Sequence, residues 1–416
     1  MKIIYITSHN PAYELIDEMP EPDIKFDLKN NAWFGIWRGD WGDKLGSLIK
    51  ENYPEVEFEC WQPDSRADKI YEYRFEDEIL HKRFPAKKKR YFYGTKIYRE
   101  VYSKLLMNEL SNLEKNKTIV HLGADYNYFG AKIHSILYKK VPVISWFLLN
   151  ISLNNPVYEN TNIFQKLHRH LINKTIRKHL TYIRYPIVLN DYSKEVISRL
   201  TGRNVYVMPW AIIDFNFWKC DMDKIELRRK FNIPSEEKVF FSSSRIVESK
   251  QIDKLIEIFT EFNNYDFKLF ISGAGPVDYI NYIKGLIKNQ LKDKIILLGY
   301  VDEILLKKYY ILSDYFISGS LMEGGPTSGL YALALEKKMI VTDTGYVADA
   351  LKEFNSGMIL PTTGYDEWKS EIKKVLGGKE IKVIEREKIQ KKFDTIQYSS
   401  NMMDIYKKAL SDFKRE

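Results

Sequence analysis

The sequence predicts an α/β protein of two domains, each built on a parallel sheet. Patterns typical of strands and of helices alternate along both halves of the chain, and such alternation is typical of parallel sheets. The length of 416 residues is enough for two domains with a core each. Three successive predicted strands in the second half end in glycine, hydroxyl or cationic residues. Parallel α/β sheets bind ligands at that edge.

The first half contains a predicted sheet that begins at residue 2. Lys2 to Thr7 is too short for a signal peptide, so we interpret it as the first strand. Glu55 to Cys60 alternates between apolar and polar residues, as a half-buried strand does. Further strands are predicted at 118–122, 142–146, 187–189 and 205–208, with a helix at 128–139.

In the second half, two strand ends carry residues that suit a diphosphate. Residues 238–244 predict a buried strand that breaks into a polar loop, and Arg245 and Lys250 flank this loop before the next helical pattern. Arginine offers a planar fork of donors and lysine a point charge. Residues 267–272 predict another strand, followed by the loop 273–276, whose two glycines allow close approach of the backbone. The alternative for each cation is a solvated surface charge.

The most informative segment is 319–331, in which Glu323, two glycines and Pro326 precede an apolar helical pattern. Proline suits the first helical turn because its missing N–H is not needed there. The free amides around Thr327 and Ser328 would face a phosphate, with the positive end of the helix dipole behind them. Glu323 would repel phosphate but could accept hydrogen bonds from sugar hydroxyls, so the segment indicates a ligand that carries both groups. The alternative is a simple turn before a helix.

Five short motifs occur together in one order. They are Arg245-Ile246-Val247-Glu248-Ser249-Lys250, Gly273-Ala274-Gly275-Pro276, Leu297-Leu298-Gly299-Tyr300-Val301, Ser313-Asp314 and Glu323-Gly324-Gly325-Pro326. They resemble the C-terminal half of a GT-B glycosyltransferase of the large retaining family 4, which uses nucleotide sugars. The resemblance is specific over about residues 236–350. It implies two Rossmann-like domains whose parallel sheets face each other across a cleft.

The resemblance implies roles for residues of three of these motifs. Arg245 and Lys250 would hold the donor diphosphate and offset charge on the leaving nucleotide, which makes both catalytic. Glu323, also catalytic, would bind hydroxyls of the donor sugar, and amides within 325–328 the distal phosphate. Residues 299–300 would lie beside the nucleobase. The full donor-binding set is Gly39, Ser244, Arg245, Lys250, Gly273, Gly275, Gly299, Tyr300, Val301, Glu323, Gly324, Gly325, Pro326, Thr327, Ser328 and Tyr331.

One position departs from the family pattern. The family usually has a second glutamate eight residues after the first, which engages the ribose hydroxyls, and here that position is Tyr331. A phenol can hydrogen-bond one hydroxyl but cannot accept a bidentate pair as a carboxylate does. Glu336 lies too far along the helix to substitute cleanly. How this chain binds the ribose therefore stays open at this point.

The domain boundaries also follow from the resemblance. Residues 209–214 occupy the place of the connector between the two domains of the family, so the hinge is placed within about 209–235. We predict an acceptor-binding domain at 1–212 and a nucleotide-sugar-binding domain at 213–384. Residues 385–416 have a helical pattern, and in the family the terminal helix packs back on the first domain.

The first domain contains weaker candidates. Retaining enzymes of this type usually present a glycine-rich loop after the first strand, and Gly39 with Gly42 are the candidates for it. The tryptophans around them could form core or a platform for sugar stacking. Asp125, at a predicted strand end, could position the acceptor hydroxyl as a catalytic residue. His121 could do the same, although a buried core histidine is the interpretation we favour.

Composition limits the function classes. Cys60 and Cys220 are the only cysteines, which supports neither a disulfide framework nor a zinc site, and the resemblance implies no metal and no cofactor beyond the donor. The longest apolar run, 141–151, is too short to cross a bilayer, so a cytoplasmic protein is predicted. The net charge of +8 is concentrated in segments 82–90 and 166–184, the second with an apolar stripe. These could bind an anionic membrane surface from the inner face or be ordinary solvated faces.

The predicted function is a retaining, metal-independent glycosyltransferase. It would transfer a sugar from a UDP- or GDP-linked donor to a glycan, glycolipid or other surface-polysaccharide acceptor. One alternative is a catalytically silent GT-B subunit that binds a partner transferase or a glycan, motivated by Tyr331. A nucleic-acid-modifying protein is a weaker alternative, because no nucleic-acid recognition motif accompanies the basic charge.

Overall fold

A computed structural model describes residues 1–7, 41–93, 96–115, 117–123, 128–147, 180–210 and 212–415. The chain divides into two compact units, Met1–Ile212 with Thr395–Glu416, and Ile213–Asp394. The last helix thus belongs to the first unit, whereas residues 385–394, which the sequence analysis assigned to the terminal segment, lie in the second.

The first unit contains a sheet with eight described strands in the order β10-β9-β8-β7-β1-β2-β4-β3. All neighbours are parallel except β3, which is antiparallel to β4. A separate antiparallel hairpin joins β5 and β6. The strands are β1 Lys2–Ile6, β2 Glu57–Asp64, β3 Tyr71–Arg74, β4 Leu80–Pro85, β5 Lys87–Tyr93, β6 Lys96–Tyr102, β7 Thr118–Gly123, β8 Val143–Phe147, β9 Tyr185–Val188 and β10 Tyr206–Val207.

Helices cover both faces of this sheet. The helices are α1 Trp41–Asn52, α2 Lys104–Ser111, α3 Tyr128–Leu137, α4 Asp191–Thr201 and the final helix, α13, Thr395–Arg415. Successive strand residues point to opposite faces, so Ile4 and Val120 pack with α2 and α3 in one cluster. Tyr5 and His121 point the other way, where the ring of His121 contacts Tyr406 of α13.

The segment 82–90, which the sequence analysis considered as a membrane-binding surface, contributes to β4 and β5. Arg83 in β4 is buried, and Lys82 forms an ion pair with Glu72 of β3 at 2.7 Å. Most of the second basic segment lies outside the described residues, which omit 148–179. Within the described part of the chain, no helix combines the length and apolarity that crossing a membrane requires.

The second unit contains a parallel sheet with six described strands in the order β13-β12-β11-β14-β15-β16. The strands are β11 Lys238–Ser243, β12 Phe267–Ser272, β13 Ile295–Gly299, β14 Tyr315–Ser318, β15 Lys338–Thr342 and β16 Met358–Leu360. The chain starts in the middle, winds outward to β13, and then returns to continue on the other side of β11. This order is that of a doubly wound Rossmann sheet, whose ligands bind where the winding reverses. In this unit the reversal lies between β11 and β14.

Helices again pack on both faces. They are α5 Lys224–Lys230, α6 Ile252–Phe259, α7 Val277–Leu286, α8 Glu303–Leu312, α9 Thr327–Ala334, α10 Gly345–Glu353, α11 Tyr365–Leu376 and α12 Arg386–Lys392. Phe240 of β11 faces the cluster formed with α6, α7 and α11. Its neighbour Phe241 faces the rings of Tyr309 and Tyr310 on α8. The prediction of an α/β protein with two parallel-sheet domains is confirmed.

Candidate functional site

The reversal point of the second sheet brings together a lysine and a glutamate. Lys250 lies in the loop after β11 and Glu323 in the loop after β14, and these two strands are parallel neighbours. The Lys250 ammonium donates a hydrogen bond to Oε1 of Glu323. Both side chains are only 11% exposed, so the charges are largely removed from water. Both are predicted site residues, and the structure places them in direct contact.

A short turn holds Lys250 in place. Residues Glu248–Lys250 form a 3-10 turn, in which the Lys250 amide donates to the Val247 carbonyl at 2.9 Å. The amide of Leu321 donates to the carbonyl of Ser249, also at 2.9 Å. This bond joins the loop after β14 to the loop after β11. The backbones that carry Lys250 and Glu323 are therefore tied to each other.

The helix that follows Glu323 offers free amides at the same edge of the sheet. Pro326 occupies the N-cap of α9 and provides no side-chain cap. The first N–H groups of a helix have no acceptor within the helix, so those of Thr327 and Ser328 are available to a ligand. The Tyr310 hydroxyl donates to the Ser328 carbonyl at 2.8 Å and fixes the start of the helix. A helix N-terminus beside a buried cation is a favourable site for phosphate.

The Gly324-Gly325 bend is shaped by the loop after β15. The amide of Tyr346 faces the Gly324 carbonyl at 3.4 Å. A Cβ atom on Gly325 would lie 1.6 Å from Cε1 of Tyr346, whose side chain is 2% exposed. Gly345, with a φ of 74°, brings the same loop against Glu323. The glycine at 325 is therefore required because an aromatic ring supports the bend from below.

We expect Gly325→Ala to lower the free energy of unfolding by about 1–3 kcal/mol, since the buried Tyr346 ring must shift to admit the methyl group. The matched control is Gly285→Ala, because a Cβ atom at that position of α7 meets nothing within 4 Å. That control should keep or raise stability, as alanine favours helix. Denaturant unfolding of both variants measures the difference, and equal stabilities would contradict the packing role.

Gly273 and Gly275 make room for neighbouring backbone. A Cβ atom on Gly273 would lie 1.8 Å from the Ser244 carbonyl oxygen, and one on Gly275 would lie 1.8 Å from that of Ile246. The Ile246 amide donates to the Ala274 carbonyl at 2.8 Å, and the Gly273 amide donates to the Gly299 carbonyl at 2.8 Å. The loops after β11, β12 and β13 are thus hydrogen-bonded side by side. The glycines have this packing role, and their contact with a donor stays a prediction.

The remaining predicted donor residues lie at the same edge. Gly299 ends β13 with a φ of 70°, and Tyr300 and Val301 follow it, both partly buried. Burial, and then the charges of Asp302 and Glu303, raise the pKa of Tyr300, so its phenol stays neutral.

Ser244 and Arg245 begin the loop after β11. The Ser244 hydroxyl donates to the Arg245 carbonyl at 3.2 Å. The Arg245 side chain is exposed and has no ion-pair partner among the described residues. Arg245 thus shares a loop with Lys250 but, unlike Lys250, is not engaged in the structure.

Tyr331 forms part of an aromatic stack. Its ring lies parallel to that of Trp218, with centroids 3.8 Å apart, and the ring of Tyr310 meets it edge-on at 6.4 Å. Burial, and then the charge of Glu303, raise the pKa of the Tyr331 phenol, which therefore remains protonated. The family pattern has a carboxylate here, whereas this chain uses the position for packing.

Comparison with known proteins relates the second unit to a known family. Residues 223–398 match the family model of glycosyl transferases group 1. The second unit is a group 1 glycosyltransferase domain. The resemblance of the five motifs to GT-B glycosyltransferases is thereby confirmed, and the retaining course of the reaction stays a prediction.

Curated relatives match this domain over part of their length. The glycogen synthase of Fervidobacterium nodosum is 28% identical over 170 residues, covering 40% of this chain and 34% of that protein. The alpha-monoglucosyldiacylglycerol synthase of Streptococcus pneumoniae is 30% identical over 172 residues, covering 40% of this chain and 37% of that protein. The chain spans well under half the length of these relatives.

Solved structures match the whole chain in fold. Sucrose-phosphate synthase from Thermosynechococcus elongatus has a TM-score of 0.69 at 13% identity and covers 99% of this chain and 100% of that one. Anabaena HepE in complex with UDP has a TM-score of 0.66 at 11% identity, covering 98% of this chain and 100% of that one. The chain therefore has the GT-B fold, and the predicted fold is confirmed.

Two predicted site residues of the first unit lie outside the described residues. These are Gly39 and Asp125, because the described ranges omit 8–40 and 124–127. His121 is fully buried, and its Nδ1 lies 2.6 Å from the Tyr406 hydroxyl. Burial lowers the pKa of His121 to about 3, so it is neutral near pH 7. This arrangement agrees with the core interpretation of His121.

Three residues that were not predicted from the sequence support the site of the glycosyltransferase domain. Tyr346 packs against the Gly324-Gly325 bend, and Trp218 stacks on Tyr331. Gln251 adjoins Lys250. Tyr346 follows Gly345 at the start of α10, and this glycine is the one sequence signal that could have indicated it. Within the described ranges, no group of three or more histidine, cysteine, aspartate or glutamate residues could hold a metal ion.

Proposed function

We propose that this protein is a retaining glycosyltransferase that uses a nucleoside-diphosphate sugar. The observation that carries the proposal is the Lys250–Glu323 pair at the reversal point of the sheet, beside the uncapped N-terminus of α9. A cation and free amides suit the diphosphate, and a carboxylate suits the sugar hydroxyls. The match of residues 223–398 to group 1 glycosyl transferases also supports a glycosyltransferase function.

The chemistry is electrostatic stabilisation of the leaving group. The acceptor hydroxyl oxygen forms a bond to the anomeric carbon while the bond from that carbon to the diphosphate oxygen breaks. Lys250 and Arg245, with the amides of Thr327 and Ser328, offset the charge that develops on the departing diphosphate. Attack from the face that the diphosphate leaves retains the anomeric configuration. The hydroxyl proton passes to the leaving phosphate oxygen or to solvent.

The donor nucleotide is proposed to be UDP or GDP. HepE, which shares the fold, was solved with UDP and with UDP and glucose, and this supports a uridine nucleotide. The base would lie at residues 299–301. The Tyr331 phenol offers one hydrogen bond to the ribose, where a carboxylate would offer two.

The acceptor is proposed to be a glycan, a glycolipid or another surface polysaccharide. The Streptococcus pneumoniae relative is named for a glycolipid product, which supports a lipid-linked acceptor. Attachment to the cytoplasmic face of a membrane through basic residues of 82–90 and 166–184 is part of this proposal. Binding to vesicles with and without anionic lipid would test that attachment separately.

We expect UDP or GDP to raise the midpoint of thermal unfolding. A ligand at about 100 times its Kd adds about 2.7 kcal/mol to the free energy of unfolding. UMP and GMP are the matched controls, since they lack the second phosphate that Lys250 and the α9 amides would bind, and should stabilise less. Equal stabilisation by mono- and diphosphates, or none by either, would contradict the proposed diphosphate site.

The silent-subunit alternative has one observation in its favour, the packing of Tyr331 against Trp218 in place of a ribose-binding carboxylate. Slow donor hydrolysis without acceptor separates the two functions. An active transferase releases nucleoside diphosphate from UDP- or GDP-sugars, whereas a silent subunit binds the nucleotide and releases none.

A further inference from the structure

Gln251 has a backbone conformation that glutamine rarely adopts. Its φ of 49° and ψ of 38° lie in the left-handed region, where side chains with a Cβ atom are strained. The residue connects the 3-10 turn of Lys250 to α6. The backbone N–H of Gln251 donates to the Glu248 carbonyl at 3.0 Å, and its backbone carbonyl accepts from the Leu255 amide at 3.0 Å. Strain of this kind persists where the surroundings over-determine it, as at functional sites.

The side chain of Gln251 makes the contacts that hold this strained backbone conformation. Gln251 is 7% exposed, and its amide is surrounded by two carbonyl oxygens and one phenol. With the nitrogen facing the carbonyls, it donates to Gly319 at 2.6 Å and to Thr362 at 3.1 Å, and its oxygen accepts from the Tyr365 hydroxyl at 2.8 Å. One buried amide thus joins the loops after β11, β14 and β16.

We propose that Gln251 is a positioning residue that holds the Lys250 ammonium against Glu323 and the donor diphosphate. Gly319 begins the loop that carries Glu323, so a single side chain connects the backbones of both partners. The inference rests on the proposed function of this site and adds a residue that acts through Lys250.

The geometry explains why glutamine is needed. Glycine adopts the left-handed conformation without strain, but it has no amide to reach Gly319. Asparagine also tolerates this region, but its side chain is one methylene shorter than the span that the glutamine amide bridges. Without the amide, the turn at 248–251 is free to relax from its strained conformation. Lys250 then loses its fixed distance to Glu323.

The test combines variants with a double-mutant cycle. Affinity for UDP, or for GDP where UDP does not bind, is measured by calorimetry in the wild type, Gln251→Gly, Lys250→Ala and the double variant. Turnover of the matching nucleotide sugars is measured in parallel. Tyr365→Phe removes the donor to the Gln251 oxygen and should give a smaller effect of the same kind. Asn232→Gly is the matched control, since Asn232 also has a left-handed φ of 53° but is exposed after α5.

We expect Gln251→Gly to lower kcat about 10- to 100-fold, as misplacement by about 1 Å does, with a smaller change in KM. Asn232→Gly should leave kcat and nucleotide affinity unchanged. In the Lys250→Ala background, Gln251→Gly should cause no further loss of kcat or of nucleotide affinity, because its effect passes through Lys250. The positioning role alone is overturned if the losses of the two single variants multiply in the double variant. It is also overturned if Gln251→Gly keeps the wild-type kcat. A wild-type protein that binds no nucleoside diphosphate overturns the proposed function and this role together.

Discussion

Replacing Lys250 by alanine is expected to reduce sugar transfer about 100- to 1000-fold, which corresponds to about 3 kcal/mol or more of transition-state stabilisation. The ammonium lies at the reversal point of the sheet, beside Glu323 and the free amides of α9. Its charge is worth most when the diphosphate leaves, because the site excludes most of the water that would otherwise screen it. The loss should therefore appear mainly in kcat.

Two control variants and the unfolding temperature of Lys250→Ala separate this effect from misfolding. Lys254→Ala removes a cation in the first turn of α6, where it pairs with Glu257 at 2.9 Å, and should keep wild-type turnover. Lys250→Arg keeps the charge but changes its shape, so part of the activity should remain. Lys250→Ala itself leaves the buried Glu323 carboxylate unpaired and should unfold at a lower temperature. Near-wild-type turnover in a folded Lys250→Ala protein would count against the proposed mechanism.

The second sheet could be predicted because its strands are buried apolar runs that end in recognisable loops. Residues Phe267–Ser272 form such an apolar run and are followed by glycines, and the structure has β12 there. The first unit was harder to predict. β3 to β6 contain many charged residues, and β4 is a strand because it pairs with β2 and β3, a tertiary effect that local patterns do not carry.

The candidate site was predictable in composition but less so in contacts. Lys250 and Glu323 were both selected, yet they are 73 residues apart and nothing in either motif predicts that they pair. The glycines at 273 and 275 did indicate close approach, but the approaching group is the neighbouring loop. No sequence pattern indicates the left-handed conformation of Gln251, because that conformation is imposed by three surrounding groups.

Asp314 shows that a family motif can have a structural role remote from the site. It lies at the start of β14, whereas the Lys250–Glu323 pair follows the end of the strand. Its carboxylate accepts from Lys224 at 2.5 Å, from Arg228 at 2.6 Å and from the Val239 amide at 2.8 Å. Burial alone would raise the pKa of Asp314. The hydrogen bonds from Lys224 and Val239, with the nearby positive charges, outweigh burial and lower that pKa.

Asp314→Asn is therefore expected to lower the free energy of unfolding by about 3 kcal/mol near pH 7, since it leaves the largely buried Arg228 without its anion. The folded-state pKa of Asp314 is below the ordinary value of 3.8. Its stabilisation is thus complete above pH 3.8 and is lost as the pH falls through the lower, folded value. Urea unfolding at pH 7 and at successive values below 4 should show the gap between wild type and variant closing.

Asp343→Asn is the matched surface control, because Asp343 and its partner Lys352 are about half exposed. It should change the free energy of unfolding by less than about 1 kcal/mol. Since Asp314 lies at the opposite end of β14 from the candidate site, the affinity of folded Asp314→Asn for nucleoside diphosphate should equal that of the wild type. A gap that stays constant below pH 4 would contradict the role of the carboxylate charge. A selective loss of nucleotide affinity would instead place Asp314 in the binding machinery and require a different explanation for the motif.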